Sequence, residues 1–302
     1  MHAPHISVVV PNHNYGRFLD RFFGSLAAQT FSPDAVEVVF VDDASSDDSV
    51  QRARGWQADG PWAAFRVLAL PRVGRPGPVR NAGAKAARGS FLLFCDPDDY
   101  LAPDFLRHTH AALTEPCGPD EQTRAPGPLP GPHIACVDYI EESPAGSRVV
   151  RVPDFHPDLL RTQNLFPTTS LMRREVWQAS RGFRTATTYE DWDFWVQAAM
   201  AGFGVVRVAQ PLLHYVFHDA NYSHAARADD GRAKARIVRD NPSFFESEVR
   251  AWARALLCGE PWAVPFTRGV IPRAADIRAL RELFMARMGA VRAGEIFSRA
   301  GL

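Results

Sequence analysis

Residues 80–103 read RNAGAKAARGSFLLFCDPDDYLAP: the body of a helical segment (Val79 to Ala87), an apolar strand (Phe91 to Cys95), then Asp96-Pro97-Asp98-Asp99. A short apolar run closed by turn residues predicts a buried strand. Pro97 restricts the backbone between Asp96 and Asp98, and Tyr100 to Pro103 returns the chain toward a helix near Asp104. Mg2+ and Mn2+ bind carboxylate oxygens and keep positions open for substrate phosphates, so closely spaced aspartates at a strand end suit a metal diphosphate. Alone, such a cluster is more often a turn or a helix cap.

The same pattern recurs upstream. Ile6 to Val10 is a β-branched run stopped by Pro11 and Asn12, and Phe18 to Gln29 has helical spacing. Val36 to Val41 is a second buried strand ending at Asp42, and Ser45 to Asp48 offer N-caps for a helix from about Ser49. Phe65 to Leu70 is a third strand, and a Gly/Pro-rich turn leads to the helix at Val79. Strands alternating with helices predict an α/β fold, a doubly wound, Rossmann-like, mainly parallel sheet flanked by helices, with ligands at the carboxyl ends of its strands. Asn12 to Asn14, Asp42 to Asp43 and Asp96 to Asp99 fall at those ends, so they converge on one rim.

In order and spacing these segments resemble the inverting glycosyltransferase family 2, whose sugar-nucleotide-binding fold is called GT-A. SVVVPNHN is similar to the family's first strand, VVFVDDASSDDS to its Val-Asp-Asp-Gly-Ser segment, and RNAGAKAARGSFLLFCDPDD to its Arg-Asn-x-Gly helix and acidic strand end. The resemblance covers roughly Ile6 to Ser223. It implies that Pro11, His13 and Asn14 border the nucleotide, His13 standing in the usual tyrosine position. Asp43 would contact the base while Asp42 supports the loop; capping of the following turn is their plainer role. Arg80 would lie near the nucleotide and offset the diphosphate charge, with a salt bridge to Asp43 or Asp96 as the alternative. Asp96 would contact the ribose or the metal shell. Asp98 would bind Mn2+ or Mg2+ through the donor's diphosphate, stabilising charge on the departing nucleotide.

A second constellation, TTYEDWDFWVQAAMAG, resembles the family's acceptor-side Glu-Asp motif at a helix start. An inverting transfer needs a carboxylate to take the acceptor hydroxyl proton as its oxygen attacks the anomeric carbon. By family position Asp191 would be that base, and Glu190 would orient it or contact sugar. Acidic residues in a first helical turn also favour the macrodipole, the plain role expected of Asp193. Trp192 is a candidate acceptor-sugar platform. LLHYVFHDANYSH is similar to the family's Tyr-x-x-His-x-x-Asn-x-Ser tail, so His218 is a candidate ligand of metal or diphosphate, although a lone histidine is more often a satisfied structural one. Arg227, Arg232, Lys234 and Arg236 read as a solvated basic helix face.

The sequence has 302 residues and 34 basic against 34 acidic side chains, so no net field draws it to nucleic acid. Four cysteines without metal spacing predict reduced thiols and a cytoplasmic setting, and no run approaches the roughly 20 apolar residues of a membrane span. Work on a membrane product would require peripheral docking at its inner face or a partner. Residues 115–132, rich in proline and glycine, read as a surface insertion within a GT-A domain over 1–240. A helical C-terminal appendage over 241–302 includes an amphipathic stripe of Ile277, Leu280, Phe284, Met288 and Val291.

The expected function is transfer of one sugar at a time, with inversion, from a nucleoside diphosphate donor, with UDP expected, to a hydroxyl acceptor on a glycan, a lipid-linked glycan or a protein. Surface polysaccharide or glycoconjugate synthesis would use such a step. The Gln-x-x-Arg-Trp motif of processive synthases is missing. A sugar nucleotidyltransferase or a Rossmann oxidoreductase is disfavoured because Pro11 to Gly16 lacks a Gly-rich phosphate loop after strand one. A nucleotide-sugar or glycan-binding module without turnover is the non-enzymatic alternative.

Overall fold

The computed structural model describes residues 4–115, 131–218, 229–289 and 297. Asn221, Ser223, Arg227, Val291 and most of the Pro/Gly-rich segment lie outside them. Two compact units emerge, interleaved along the chain. The first comprises Met1–Phe155, Leu165–Phe183 and Ala201–Asp219; the second comprises His156–Asn164, Arg184–Met200 and Ala220–Leu302. Neither is a continuous stretch like 1–240 or 241–302.

The first unit is built on one sheet. Its amino-terminal half runs β1 (Ile6–Asn12), α1 (Gly16–Ala27), β2 (Val36–Asp43), α2 (Ser49–Asp59), β3 (Ala64–Leu70), α3 (Pro76–Ala86) and β4 (Phe91–Phe94). There follow β5 (Tyr100–Leu101), α4 (Phe105–Thr114), β6 (Pro132–Ser143), β7 (Gly146–Val150), β8 (Leu171–Arg173), α6 (Arg174–Ala179) and β9 (Gly204–Val216), with α5 (Pro157–Leu160) in the second unit. Strand order is β3-β2-β1-β4-β8-β6-β9-β5, with β7 paired to β6. β3, β2, β1 and β4 are parallel, as the alternation of strand and helix predicts. Beyond β4 the sheet becomes mixed: β8 is antiparallel to β4 and β6, and β5 antiparallel to β9, while β6 and β9 run parallel.

Three expectations shift in detail. β1 continues through Pro11, which lies opposite Val41, to Asn12 rather than stopping at Val10. α3 begins at Pro76 inside the expected turn, because a proline at the first helical position has no amide to satisfy. The two expected strands Val205 to Val208 and Leu212 to Phe217 form one strand, β9, with irregular register where Val208 and Pro211 face Val137 and Asp138.

Burial on both faces explains the apolar strands. Val8, Val10, Val38 and Phe40 pack with Leu19, Phe22, Phe23 and Leu26 of α1, whose apolar spacing presents one stripe to the sheet. Val9 and Val41 point to the other face, beneath α3. In the second unit, α7 (Glu190–Met200) packs on α5, α8 (Asp230–Asp240) on α9 (Ser247–Cys258), and α9 on α10 (Ala274–Met288). Of the stripe expected on α10, Ile277 is fully buried while Met288 is exposed.

Candidate donor and acceptor sites

At the carboxyl ends of β1 and β2, short polar side chains lock two loops together. Asp42 accepts from Asn12 Nδ2 (2.9 Å), Ser45 N (2.9 Å) and Ser45 Oγ (2.5 Å). Asn14, in the left-handed region at φ 58° that asparagine tolerates, accepts Ser46 N at 2.7 Å. The His13 ring bridges the same loops: Nδ1–H donates to the Asp43 carbonyl (2.8 Å) and Nε2 accepts from Asn14 Nδ2 (3.3 Å). Asp43 does not cap the turn after β2. Its carboxylate receives the amides of Val73 (2.5 Å) and Gly74 (2.8 Å) and the Arg72 guanidinium, so it holds the loop leaving β3.

The Arg-Asn-x-Gly segment divides into three jobs. Arg80, buried, donates from one guanidinium nitrogen to both Asp96 oxygens at 2.8 Å, which selects Asp96 over Asp43 as its partner. The same guanidinium lies over the Phe183 ring, 5.5 Å from its centroid. Asn81 ties down the loop that carries that ring, donating to Phe183 O (2.8 Å) and accepting Phe183 N (3.0 Å). Gly83 lets α3 lie directly on the sheet, since a Cβ there would overlap Val9 and come within 3.0 Å of Val41. Gly83→Ala is therefore expected to destabilise the fold by about 1–3 kcal/mol, read as a lowered denaturation midpoint with an unchanged slope. A variant as stable as wild type would show that α3 does not need this close approach.

Beyond β4 the acidic turn is fixed from far along the chain. β5 pairs with β9 so that Tyr100 faces His214, and Asp99 Oδ1 accepts the Val216 amide at 3.0 Å. Two residues on, His218 Nε2 lies 3.0 Å from Asp98 Oδ2. Arg21 donates to the Asp98 carbonyl at 2.7 Å while stacking over Tyr100. Burial, reinforced by the charge of Asp96, pushes the Asp98 carboxyl up to about 7. Burial and the Asp98 charge likewise raise Asp99. The Tyr15 phenol, raised by burial and by the charges of Asp98 and Asp96, stands over the His218 ring at 6.0 Å between centroids. Tyr15 and Arg21 carry no signature of their own in the sequence, and Asp99 shows there only as a member of the acidic cluster.

Among the described residues, no three His, Cys, Asp or Glu side chains gather into a metal-holding group. Asp98 and His218 offer one carboxylate and one imidazole side by side. That donor set fits Mn2+ or Mg2+ when a bound diphosphate supplies further oxygens. Asp96, expected at the ribose or the metal shell, turns both oxygens to Arg80.

In the second unit, α7 starts at Glu190, placing Glu190, Asp191 and Asp193 in its first turn. Asp191 Oδ1 accepts the Trp192 amide (2.8 Å), and Oδ2 accepts from Asn164 Nδ2 (2.9 Å). Glu190 is buried. Trp192 does not present a sugar platform: only 1% of it is exposed, and its indole N–H donates to Leu160 O at 2.8 Å. Asp193 does more than favour the helix dipole. It is buried, paired with Arg184, and accepts from Asn241 Nδ2 at 2.8 Å, joining α7 to the end of α8. Lys234, expected on a solvated face, is fully buried.

Residues 7–118 match the family model described as "Glycosyl transferase family 2". The chain is 36% identical over 110 residues to the poly(ribitol-phosphate) beta-N-acetylglucosaminyltransferase TarS of Staphylococcus aureus, which covers 36% of this chain and 19% of that protein. It is 31% identical over 176 residues to validoxylamine A glucosyltransferase of Streptomyces hygroscopicus, covering 57% of this chain and 33% of that protein. The matched part thus spans a third or less of either curated relative. Among solved structures, S. aureus TarS 1–349 in complex with UDP-GlcNAc superposes with a TM-score of 0.62 at 20% identity, over 84% of this chain and 71% of that one. The mannosyltransferase PcManGT of Pyrobaculum calidifontis, in complex with GDP-Man and Mn2+, gives 0.60 at 19% identity over 100% of this chain and 80% of that one. The sheet order, the acidic strand end and these matches agree: the chain carries a GT-A fold, and its residues 7–118 are similar to glycosyl transferase family 2.

Proposed function

We propose that the protein is a glycosyltransferase that moves one sugar at a time from a nucleoside diphosphate sugar to a hydroxyl acceptor, with inversion at the anomeric carbon. The observation that carries this reading is the pairing of Asp98 with His218 beside the Arg80–Asp96 ion pair, at the carboxyl ends of the parallel strands. UDP is the proposed nucleotide, supported by the likeness to the UDP-GlcNAc complex.

Pro11, His13, Asn14, Asp42 and Asp43 would shape the base and ribose side of the donor pocket, and Arg80, steadied by Asp96, would offset diphosphate charge. Asp98 and His218 would hold Mn2+ or Mg2+, which supplies charge stabilisation on the leaving nucleotide. Asp191 would receive the acceptor hydroxyl proton, with Glu190 orienting it. A glycan, a lipid-linked glycan or a protein hydroxyl would serve as acceptor, in polysaccharide or glycoconjugate synthesis. No helix of the described residues is long and apolar enough to cross a membrane.

The test is a panel of UDP-glucose, UDP-GlcNAc and GDP-mannose, each with and without Mn2+, read by thermal shift and by released nucleoside diphosphate. One donor is expected to raise the melting temperature, more so with Mn2+, because a ligand that binds only the folded state stabilises it. If no nucleotide sugar binds, the proposal fails; binding without release would favour the non-catalytic module.

A further inference from the structure

The segment entering α7 is held by a buried polar network for which the proposed chemistry has not yet accounted. The Lys234 ammonium, fully buried, lies 2.7 Å from Asp230 Oδ2 and donates to Thr267 O at 2.9 Å. The other Asp230 oxygen accepts the Tyr189 hydroxyl at 2.7 Å and the Gly269 amide at 2.9 Å. Thr187 makes a second tie: its hydroxyl donates to Ala233 O (3.0 Å) and accepts the Tyr189 amide (3.1 Å). Both residues leading into Glu190 and Asp191 are therefore anchored to the first turns of α8.

We infer that Tyr189, Asp230 and Lys234, with Thr187, are positioning residues that fix the aim of the Glu190-Asp191 turn. The inference rests on the reading of Asp191 as the acceptor-side base. Stability alone does not explain the network, since an ion pair taken out of water gains little over apolar side chains of the same volume. Directed hydrogen bonds supply what apolar packing does not, a single orientation for the backbone that opens α7. Burial and the bond to Asp230 push the Tyr189 phenol upward, so its hydroxyl stays protonated and keeps donating near neutral pH. The Tyr189 ring also meets the edge of the buried Trp192 at 6.0 Å, which braces the same turn from within. A base must sit within hydrogen-bond reach of the proton it takes, and displacement by about 1 Å can cost on the order of a hundredfold in rate.

Tyr189→Phe deletes one hydroxyl and keeps the ring. The assay is nucleoside diphosphate release from whichever of UDP-glucose, UDP-GlcNAc and GDP-mannose the wild-type protein turns over with Mn2+, water serving as acceptor. We expect kcat to fall about tenfold, within that range, with KM for the donor unchanged and the protein still folded by thermal melt. Thr187→Val, which cuts the second tie, should give the same split between kcat and KM. Unchanged kcat in both variants overturns the inference whatever happens to the melting temperature, and a raised donor KM overturns it by placing the network on the donor side. Asp191→Asn is run alongside: if it turns over like wild type, the base assignment itself has failed, an outcome separate from any result with Tyr189→Phe.

Discussion

Asp191→Asn is expected to lower turnover by about 10²–10⁴-fold while leaving donor affinity as it was. That range is what a positioned general base contributes. Asparagine preserves the shape of the side chain: its oxygen, at the Oδ1 position, still accepts the Trp192 amide, while its Nδ2, at the Oδ2 position, can donate to Asn164 once that amide turns its oxygen toward it. Loss of proton acceptance is then the principal change. The check is a KM-against-kcat comparison on the donor that binds, together with donor-induced thermal shifts. Loss of donor binding, with turnover per bound donor intact, would place Asp191 on the nucleotide side.

Asp98→Ala is expected to abolish the Mn2+-dependent part of donor binding and to reduce turnover on the order of 10³-fold, since a metal clamp supplies several kcal/mol of charge stabilisation and each tenfold is about 1.4 kcal/mol. The same side chain predicts a stability effect of opposite sign in the metal-free protein. Its carboxyl is raised to about 7, above the ordinary value of 3.8. Between those values the folded chain binds more protons than the unfolded chain, so wild-type stability falls as pH rises through the window. Asp98→Asn removes that penalty. In chelator-treated samples it should be at least as stable as wild type at pH 8, with the advantage vanishing near pH 4. A donor-binding loss accompanied by equal destabilisation at both pH values would mean that Asp98 is structural.

The parts of the fold that were legible in the sequence are those where local pattern and burial agree. Ile6 to Val10, Val36 to Val41 and Phe91 to Cys95 are apolar throughout because the parallel strands are covered on both faces, and each acidic cluster marks a carboxyl end. The Arg-Asn-x-Gly segment was legible as a motif, but the division of labour within it was not. Asn81 acts on Phe183, 102 positions away, and no local signal names that partner. Trp192, Asp193 and Lys234 were misread for one reason. Each looks like a surface or ligand-facing residue by type, yet the second unit draws on three separated segments of chain to bury them. His13 was recognisable as a replacement, whereas its bridging of two loops required the left-handed turn at Asn14 to be seen.

The anchoring of the acidic turn by the end of β9 has a consequence for how the protein forms. Asp99 and Val216 are 117 positions apart, and Asp98 and His218 are 120 apart. Contacts of such separation carry the largest loop-closure entropy and slow the folding of the chains that depend on them. A nascent chain can pair β1 with β2 and β2 with β3 early, but the carboxylate and imidazole meet only after the ribosome has released residue 218. That rim is thus completed only after the amino-terminal strands have formed, and a protein truncated before β9 would lack the Asp98–His218 pair.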